Sequence, residues 1–340
     1  MNALGTYELS LDELLERASR TFALTIPLLE GDLRRAMGVA YLLMRNADTL
    51  EDAFRIPREK RARGLEDWTA IVQEGDLGRA HEFVARWSAE DRFDDADHRD
   101  VLLETPRLLR ELDALPPAMG EVVRRHVVRV ATRMRRWVLR HDPQERLTLE
   151  AVRELDDYCY AVAGIVGEMI TDLVVQQVEL PVERRLFLRS LAFDFGAGLQ
   201  LTNVLKDAWR DAQSGRRYVP TDFAPGRPEG HVEPERQRPI VLLALSRLEQ
   251  GMNYTLALPV EERGLRLFCL LPLLLAAATL REVDGRADAL WRGVDVKIGR
   301  DEVGRLVAAA HEAVDDAARV RALWDGLVEP IRGLRLALSA

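Results

Sequence analysis

Helical spacing of apolar residues dominates the chain. Between residues 32 and 54, Leu33, Met37 and Ala40 begin a series that recurs at intervals of three and four, the stripe of a packed helix. Short alternating runs typical of strands are scarce. The pattern predicts an all-α fold, and we expect a single domain over residues 1–340. Comparable patterns predict further helices at about 100–113, 117–140, 148–175, 183–213, 239–256, 262–283 and 301–325.

Two stretches interrupt the helical pattern. Residues 88–100 are rich in acidic side chains, and we expect them to form a solvated connection. Residues 219–239 contain five prolines and two glycines, which excludes a regular helix or strand there. A loop of this length within a compact domain is either a functional lid or disordered.

Charge and cysteine content narrow the class of protein. The formal charge is −8 and the isoelectric point is near 5.5, so we expect no binding to nucleic acid, which needs a basic face. Cys159 and Cys269 lie far apart in apolar helical stretches, which predicts two reduced core thiols in a cytoplasmic protein.

No membrane anchor is expected from the apolar runs. The N-terminal residues show no basic segment followed by an apolar one, so we expect no signal peptide. The longest apolar run, residues 267–280, has 14 residues, whereas a membrane span needs about 20. We therefore expect a buried core helix there, and any membrane contact to be peripheral.

Two groups of carboxylates are the strongest chemical signal. The first acidic cluster is Asp48, Glu51 and Asp52, and the second is Asp207 and Asp211. Residues three and four apart are neighbours on a helix surface, so each cluster shares a face. Oxygen ligands of this kind suit Mg²⁺, which is commonly held by one or two carboxylates together with substrate phosphates.

A plainer explanation remains open for each cluster. Acidic pairs at this spacing are common at solvated helix ends, and either cluster alone is explained in that way. Two clusters, each beside an apolar run, favour Mg²⁺-diphosphate binding. The six histidines are scattered, so zinc and Ser-His-Asp chemistry have no support.

Four blocks of the sequence resemble the squalene/phytoene synthase family. They are SRTFALTIPLL (19–29), YLLMRNADTLED (41–52), YCYAVAGIVGEMITDL (158–173) and GLQLTNVLKDAWRDAQSGRRYVP (198–220). Two more blocks, LRLFCLLPLLLAAATL (265–280) and VDVKIGRDEVGRL (294–306), resemble the squalene branch more than the phytoene branch. The resemblance implies an isoprenoid-synthase helical bundle around a central cavity.

The resemblance also implies roles for individual residues. Both acidic clusters would hold Mg²⁺. Tyr158 is the expected proton-transfer residue, with Tyr41 and Arg45 in support. Lys297 and Arg300 would contact NADPH. The residues expected to contact farnesyl diphosphate are Ser19, Arg20, Phe22, Arg45, Gln200, Asn203 and Arg216.

Structural explanations for several of these residues stay open. Arg45 is placed to form an ion pair with its neighbour Asp48, which is compatible with a role at the site. Gln200 and Asn203 are also explained as ties between helices, and Tyr158 as a core residue. The helical glycines Gly164, Gly167, Gly196 and Gly198 either allow close helix packing or leave room for a prenyl chain.

The implied reaction joins two farnesyl diphosphates head to head through presqualene diphosphate, followed by NADPH-dependent reduction to squalene. Two residues depart from the family pattern. Arg210 stands where many family members have an acidic residue, which weakens the case for an additional metal ligand there. Gly299 replaces an expected basic residue, which weakens the case for NADPH binding. The alternatives are a dehydrosqualene or phytoene synthase, a head-to-tail prenyltransferase or terpene cyclase of the same fold, and a catalytically inactive assembly protein.

Overall fold

The computed structural model describes residues 10–19, 21–224 and 233–337. The chain divides into two compact units, Met1–Leu139 and Arg140–Ala340. Such a division does not decide whether the units fold separately, so the single domain stays a prediction.

The first unit is built around one buried helix, Gly31–Glu51. It packs against the helices Arg58–Glu74, Ala96–Leu103 and Pro117–Leu139, and Leu42, Leu43 and Leu50 on it are fully buried. The remaining elements of this unit are the helices Leu11–Ala18, Phe22–Thr25, Leu77–Ser88 and Thr105–Asp113, with a short 3₁₀ turn at Ile26–Leu28.

The connection between residues 88 and 100 is less solvated than predicted. Glu90 and Phe93 are both buried. Phe93 packs against Trp87, with ring centroids 5.7 Å apart, and the Glu90 carboxylate accepts hydrogen bonds from Lys60 and Arg92. The expectation of a wholly solvated connection was therefore wrong, because one aromatic and one ion-paired carboxylate anchor the segment.

The second unit is also helical. Its two short strands, Leu147–Thr148 and Arg216–Arg217, form a parallel pair. Short 3₁₀ turns lie at Thr221–Phe223 and Pro234–Gln237, within the predicted irregular segment 219–239, of which residues 225–232 lie outside the described part. The helices are Val152–Cys159, Ile165–Gln177, Val182–Gln213, Arg238–Ala257, Arg263–Gly285, Ala287–Trp291, Arg300–Ala313 and Ala317–Ala337.

A π-helical turn at Tyr160–Gly164 joins the helices Val152–Cys159 and Ile165–Gln177. Within this turn and just after it, the backbone lies directly against the backbone of the helix Val182–Gln213. A Cβ added to Gly167 would lie 1.9 Å from the carbonyl oxygen of Ala192, and one added to Gly196 would lie 2.1 Å from that of Ala163. Close packing is therefore the explanation of these glycines that the structure supports.

Two helices are long and apolar enough to span a membrane by length and composition, Val152–Gln177 and Arg263–Gly285. In each, most of the apolar window is buried inside the fold, 61% and 72% respectively. Core helices of this kind pass the same test, which agrees with the prediction of a buried helix at 267–280. Cys159 and Cys269 are both buried free thiols, as predicted, and burial raises the pKa of each.

Candidate active site

The first acidic cluster lies at the C-terminal end of the helix Gly31–Glu51. The Arg45 guanidinium lies 3.2 Å from the carboxylate of Asp48, one turn along the helix. Burial raises the pKa of the Asp48 carboxyl, although its side chain keeps 33% of its exposure, and the Arg45 charge offsets part of that rise. The predicted ion pair is therefore present, and the Arg45 charge favours the ionised form of Asp48 against the effect of burial.

Arg45 also organises the residues that precede it. One guanidinium nitrogen donates to the Tyr41 hydroxyl at 2.8 Å, and that hydroxyl donates to the carbonyl of Ala18 at 3.2 Å. The Tyr41 ring packs against Phe22 with centroids 4.9 Å apart. The Ser19 hydroxyl accepts from the backbone N–H of Phe22 at 3.1 Å.

Five predicted residues are thus brought together in the first unit, namely Ser19, Phe22, Tyr41, Arg45 and Asp48. Arg20 lies outside the described residues, so its predicted contact is untested. The other two members of the first acidic cluster differ in exposure. Glu51 is only 6% exposed, whereas Asp52 is exposed. Of these two, Asp52 is the carboxylate that solvent and ligands reach directly.

His98 is a neighbour of this cluster that the sequence did not reveal. Its backbone carbonyl accepts a long hydrogen bond from Thr49 at 3.5 Å. Burial lowers the pKa of His98, the Arg45 charge lowers it further, and Asp95 and Asp52 act in the opposite direction. The imidazole therefore lies within electrostatic range of the first acidic cluster.

The second acidic cluster lies near the end of the long helix Val182–Gln213. The Asp207 carboxylate lies 2.7 Å from the Lys206 ammonium and 3.1 Å from the Arg210 guanidinium. Asp211 is paired with Arg216 at 3.3 Å, across the turn that leads into the strand Arg216–Arg217. Asp207 and Asp211 lie on one helix face, where like charges repel, and each is balanced by basic neighbours.

Arg210 extends this network to the segment 293–300, which carries Lys297 and Arg300 and is called the basic turn below. Its second terminal nitrogen lies 3.4 Å from the Asp295 carboxylate, and Asp295 is in turn 2.7 Å from Lys297. Lys297 lowers the pKa of Asp295, with a smaller contribution from Arg210. The residue that departs from the family pattern thus connects the second acidic cluster to Lys297.

A backbone contact supports the same connection. Gly293 has a φ of +87°, and a Cβ at that position would lie 2.8 Å from the indole nitrogen of Trp209. The turn therefore packs directly on the helix that carries the second acidic cluster. Arg300 is exposed at the first position of the helix Arg300–Ala313.

Tyr158 is buried and lies one residue before the end of the helix Val152–Cys159. Its ring stacks on Tyr218, with centroids 4.6 Å apart and planes inclined by 24°. Tyr218 follows Arg216 by two residues, so the predicted proton-transfer residue contacts the segment after the second acidic cluster. Sequence reasoning did not single out Tyr218.

Gln200 and Asn203 precede Asp207 by two turns and one turn on the same helix. Gln200 is half-buried and Asn203 is exposed. Within the described residues, no hydrogen bond from either amide ties it to another helix. Their contact with substrate stays a prediction, and the alternative role as ties between helices stays open.

The chemistry of these residues fits Mg²⁺. The carboxylates of both clusters are oxygen ligands of the kind that this ion takes. Across residues 10–19, 21–224 and 233–337, no three acidic, histidine or cysteine side chains converge to form a metal site by themselves. Phosphate oxygens of a substrate would therefore have to complete the coordination.

The basic turn fits a dinucleotide phosphate less completely. Lys297 and Arg300 are exposed cations suited to phosphate oxygens, but Asp295 already neutralises Lys297. Two surface depressions of about 530 and 410 Å³ contain none of the predicted site residues. The walls of the larger one carry Asp67, Arg79, Glu82 and Arg86, which do not suit a prenyl chain.

The sequence model of the squalene/phytoene synthase family matches residues 15–302 of the chain. The matched segment contains both acidic clusters, Tyr158 and Lys297. The chain belongs to this family.

Individual relatives in the family include squalene synthases. The chain is 28% identical over 306 residues to the enzyme of Saccharomyces cerevisiae, an alignment that covers 86% of this chain and 65% of the yeast protein. It is 27% identical over 313 residues to the enzyme of Candida albicans, covering 87% and 65%. The chain therefore spans about 65% of the length of these relatives.

The fold agrees with the family assignment. The structure matches the squalene synthase TcSQS, solved with the ligand E5700, with a TM-score of 0.74 and 21% sequence identity. The match covers 95% of this chain and 97% of that one. The predicted isoprenoid-synthase fold is confirmed.

Proposed function

We propose that this protein is a squalene synthase, which condenses two molecules of farnesyl diphosphate head to head and reduces the product with NADPH. The observation that carries the proposal is the family match over residues 15–302, which includes both acidic clusters. The relatives named as squalene synthases favour this branch over the phytoene branch. The ion pairs that run from Asp207 through Arg210 and Asp295 to Lys297 support the proposal that NADPH binds near the second acidic cluster.

The acidic clusters would hold the metal with the substrate diphosphate. In this proposal Asp48, Glu51, Asp52, Asp207 and Asp211 are the Mg²⁺ ligands. Bound Mg²⁺ stabilises the negative charge that develops on departing pyrophosphate. Glu51 takes part only if its buried side chain turns outward, so Asp48 and Asp52 carry most of this role at the first acidic cluster.

Basic and hydroxyl side chains would orient the diphosphate. Arg45 and Arg216 each sit beside a carboxylate of the clusters, where their planar groups suit phosphate oxygens. Ser19 and Arg20 are proposed as further contacts, and Gln200 and Asn203 as contacts through water. Phe22, held against Tyr41, would contact the prenyl chain.

Tyr158 would handle the proton lost when the cyclopropane closes. A phenol titrates near pH 10 and is a poor base for most substrates, but a carbocation is an extremely strong acid. The buried position of Tyr158 also limits access of water, which protects a cation from hydrolysis. Tyr41 and Arg45 would support this proton transfer.

The reduction defines the second half of the reaction. Ionisation of presqualene diphosphate releases the second pyrophosphate, and NADPH supplies the hydride that converts the rearranged cation to squalene. Lys297 and Arg300 are proposed to contact the dinucleotide phosphates.

We further propose a cytoplasmic location with peripheral membrane contact, since substrate and product are lipids. Recovery of the protein after cell fractionation, with and without a salt wash of the membranes, tests this location.

Product analysis tests the proposal. Purified protein is incubated with farnesyl diphosphate and Mg²⁺, with and without NADPH, and the extracted lipids are analysed by mass spectrometry. Squalene formed only with NADPH supports the proposal. A desaturated C30 product regardless of NADPH identifies a dehydrosqualene synthase instead. Absence of any product from farnesyl or longer diphosphates supports an inactive assembly protein.

A further inference from the structure

Arg61 is a fully buried arginine beside the first acidic cluster. It lies in the helix Arg58–Glu74 and is 0% exposed. Its guanidinium donates to the backbone carbonyls of Glu51 and of Ile56, the latter at 3.1 Å. The Phe54 ring lies beneath it, with the centroid 4.9 Å from the guanidinium carbon.

The position of the first acidic cluster explains why a cation is needed there. The C-terminal end of a helix carries partial negative charge and unsatisfied carbonyls, so acidic side chains in the last turn are unfavourable. The helix Gly31–Glu51 nevertheless ends with Asp48 and Glu51, and its last turn contains no basic residue. Arg45 pairs with Asp48 within the helix, and Arg61 on the next helix adds a second positive charge at the backbone carbonyl of Glu51.

The contacts of Arg61 also fix the backbone that leaves the cluster. Asp52 donates to Asp48, Phe54 to Asp52 and Ile56 to Ala53, all through backbone bonds of 2.7–2.8 Å. The guanidinium joins the two ends of this turn, because it donates to the backbone carbonyls of both Glu51 and Ile56. An arginine is suited to this because its rigid fork satisfies two acceptors at once.

We propose that Arg61 is a positioning residue for Mg²⁺-diphosphate binding at the first acidic cluster. It holds the turn from Glu51 to Ile56 in one conformation and reduces the electrostatic cost of placing three carboxylates at a helix C-terminus. The inference rests on the proposed function, since it assigns Arg61 to the same site. An arginine with a purely structural role would stabilise the unit without affecting ligand affinity.

Two variants on one helix separate these roles. Arg61→Lys keeps the charge but loses the fork. Trp68→Phe is the matched control, because Trp68 is also fully buried on the helix Arg58–Glu74 and donates to Thr105 at 3.3 Å. Binding of Mg²⁺ with inorganic pyrophosphate is measured by calorimetry well below each thermal midpoint, and backbone hydrogen exchange is followed at residues 52–56.

The expected result is that Arg61→Lys weakens Mg²⁺-pyrophosphate binding by about tenfold, equal to about 1.4 kcal/mol, and speeds exchange at residues 52–56. Trp68→Phe is expected to lower the thermal midpoint with unchanged affinity. Should Arg61→Lys not fold, Phe54→Leu removes the supporting ring and is expected to weaken binding less, in the same direction.

Unchanged affinity in folded Arg61→Lys, or in Phe54→Leu when the lysine variant does not fold, overturns the inference and leaves the proposed function intact. Wild-type protein that fails to bind Mg²⁺-pyrophosphate overturns both.

Discussion

Tyr158 stacks on Tyr218, with the two ring centroids 4.6 Å apart. The contact joins the helix Val152–Cys159 to the residues that follow the strand Arg216–Arg217, where Arg216 pairs with Asp211. The Tyr158 ring is therefore positioned by the segment in which Arg216 pairs with Asp211 of the second acidic cluster. In the proposed reaction, this contact would hold the ring whose hydroxyl takes part in proton transfer.

Replacing Tyr158 with Phe tests that role. The ring and its stacking remain, but the hydroxyl is lost, so we expect turnover of farnesyl diphosphate to fall by about 10²-fold or more. Affinity for Mg²⁺-pyrophosphate should be unchanged. Steady-state kinetics and calorimetry measure the two quantities.

Tyr218→Phe is the matched control for Tyr158→Phe. It keeps the same stacked pair and removes the other hydroxyl, so turnover should change by less than about threefold. Equal losses in the two variants would show that the Tyr158 hydroxyl has no special role, because the stacked rings remain in both.

The connection between Arg210 and Asp295 predicts coupled effects on NADPH binding. Exposed ion pairs contribute up to about 1 kcal/mol, so Arg210→Gln should weaken NADPH binding by about two- to fivefold. Asp295→Asn should instead strengthen it, because the carboxylate that neutralises the Lys297 ammonium is removed. Fluorescence titration with NADPH measures both.

The double variant shows whether these two residues act together. If they act through one ion pair, Arg210→Gln combined with Asp295→Asn should bind NADPH no more weakly than Asp295→Asn alone. Arg292→Gln removes an exposed charge paired with Asp288 in the same region and should have no effect. A further loss of affinity when Arg210→Gln is added to Asp295→Asn would rule out the connection.

Gly167 is predicted to tolerate no side chain. A Cβ there would overlap the carbonyl oxygen of Ala192, which belongs to the backbone of a packed helix. We expect Gly167→Ala to lower the free energy of unfolding by about 3 kcal/mol. Gly304→Ala, in an exposed helix with open space around it, should raise it by about 0.5–1 kcal/mol. Urea unfolding distinguishes the two, and a neutral Gly167→Ala would contradict the backbone contact.

Glu90 is expected to make stability dependent on pH. Its carboxyl is 5% exposed and its pKa lies well below the usual 4.5, first because Arg92 donates to it and also because Lys60 does. A lowered folded-state pKa stabilises the fold above about pH 4.5, and that contribution is lost as the pH falls towards the folded-state pKa.

Glu90→Gln should therefore lower the thermal midpoint at pH 7. The difference from wild type should shrink steadily as the pH is lowered below 4.5. A difference that stays constant between pH 7 and pH 3 would show that packing, and not the charge of Glu90, stabilises the segment.

Long apolar periodicity predicted several of the long helices correctly. The observed helices Gly31–Glu51, Pro117–Leu139 and Val182–Gln213 agree with their predicted spans within a few residues. Arg58–Glu74 and Leu77–Ser88 were not predicted. The first of these buries Arg61 and Gly64 in its first half, so its stripe of large apolar side chains is confined to Leu65, Trp68, Ile71 and Val72, from the middle of the helix onward.

Helix breaks were harder to predict because single side chains cause them. The predicted helix 100–113 is interrupted at Glu104, just before a new helix with Pro106 in its first turn. The predicted helix 301–325 is interrupted where Asp316 accepts hydrogen bonds from the backbone N–H groups of Ala318 and Arg319. Apolar spacing continues across both breaks.

The residues of the candidate site were likewise predicted only in part. Spacing alone predicted Arg45 beside Asp48 and the shared helix of Asp207 and Asp211, because local geometry sets those distances. Tyr218, Asp295 and Arg61 were missed, since each reaches the site through contacts between separate elements. Their side chains carry no local pattern that indicates such contacts.

The central claim is head-to-head condensation at a Mg²⁺-dependent site, and withholding NADPH tests it most directly. Protein is mixed with farnesyl diphosphate and Mg²⁺ alone, the products are analysed, and NADPH is then added to the same reaction. Our account predicts that presqualene diphosphate accumulates first, that it is converted to squalene after the addition, and that EDTA prevents both steps. A linear head-to-tail diphosphate, or unconsumed farnesyl diphosphate in the presence of Mg²⁺, would contradict it.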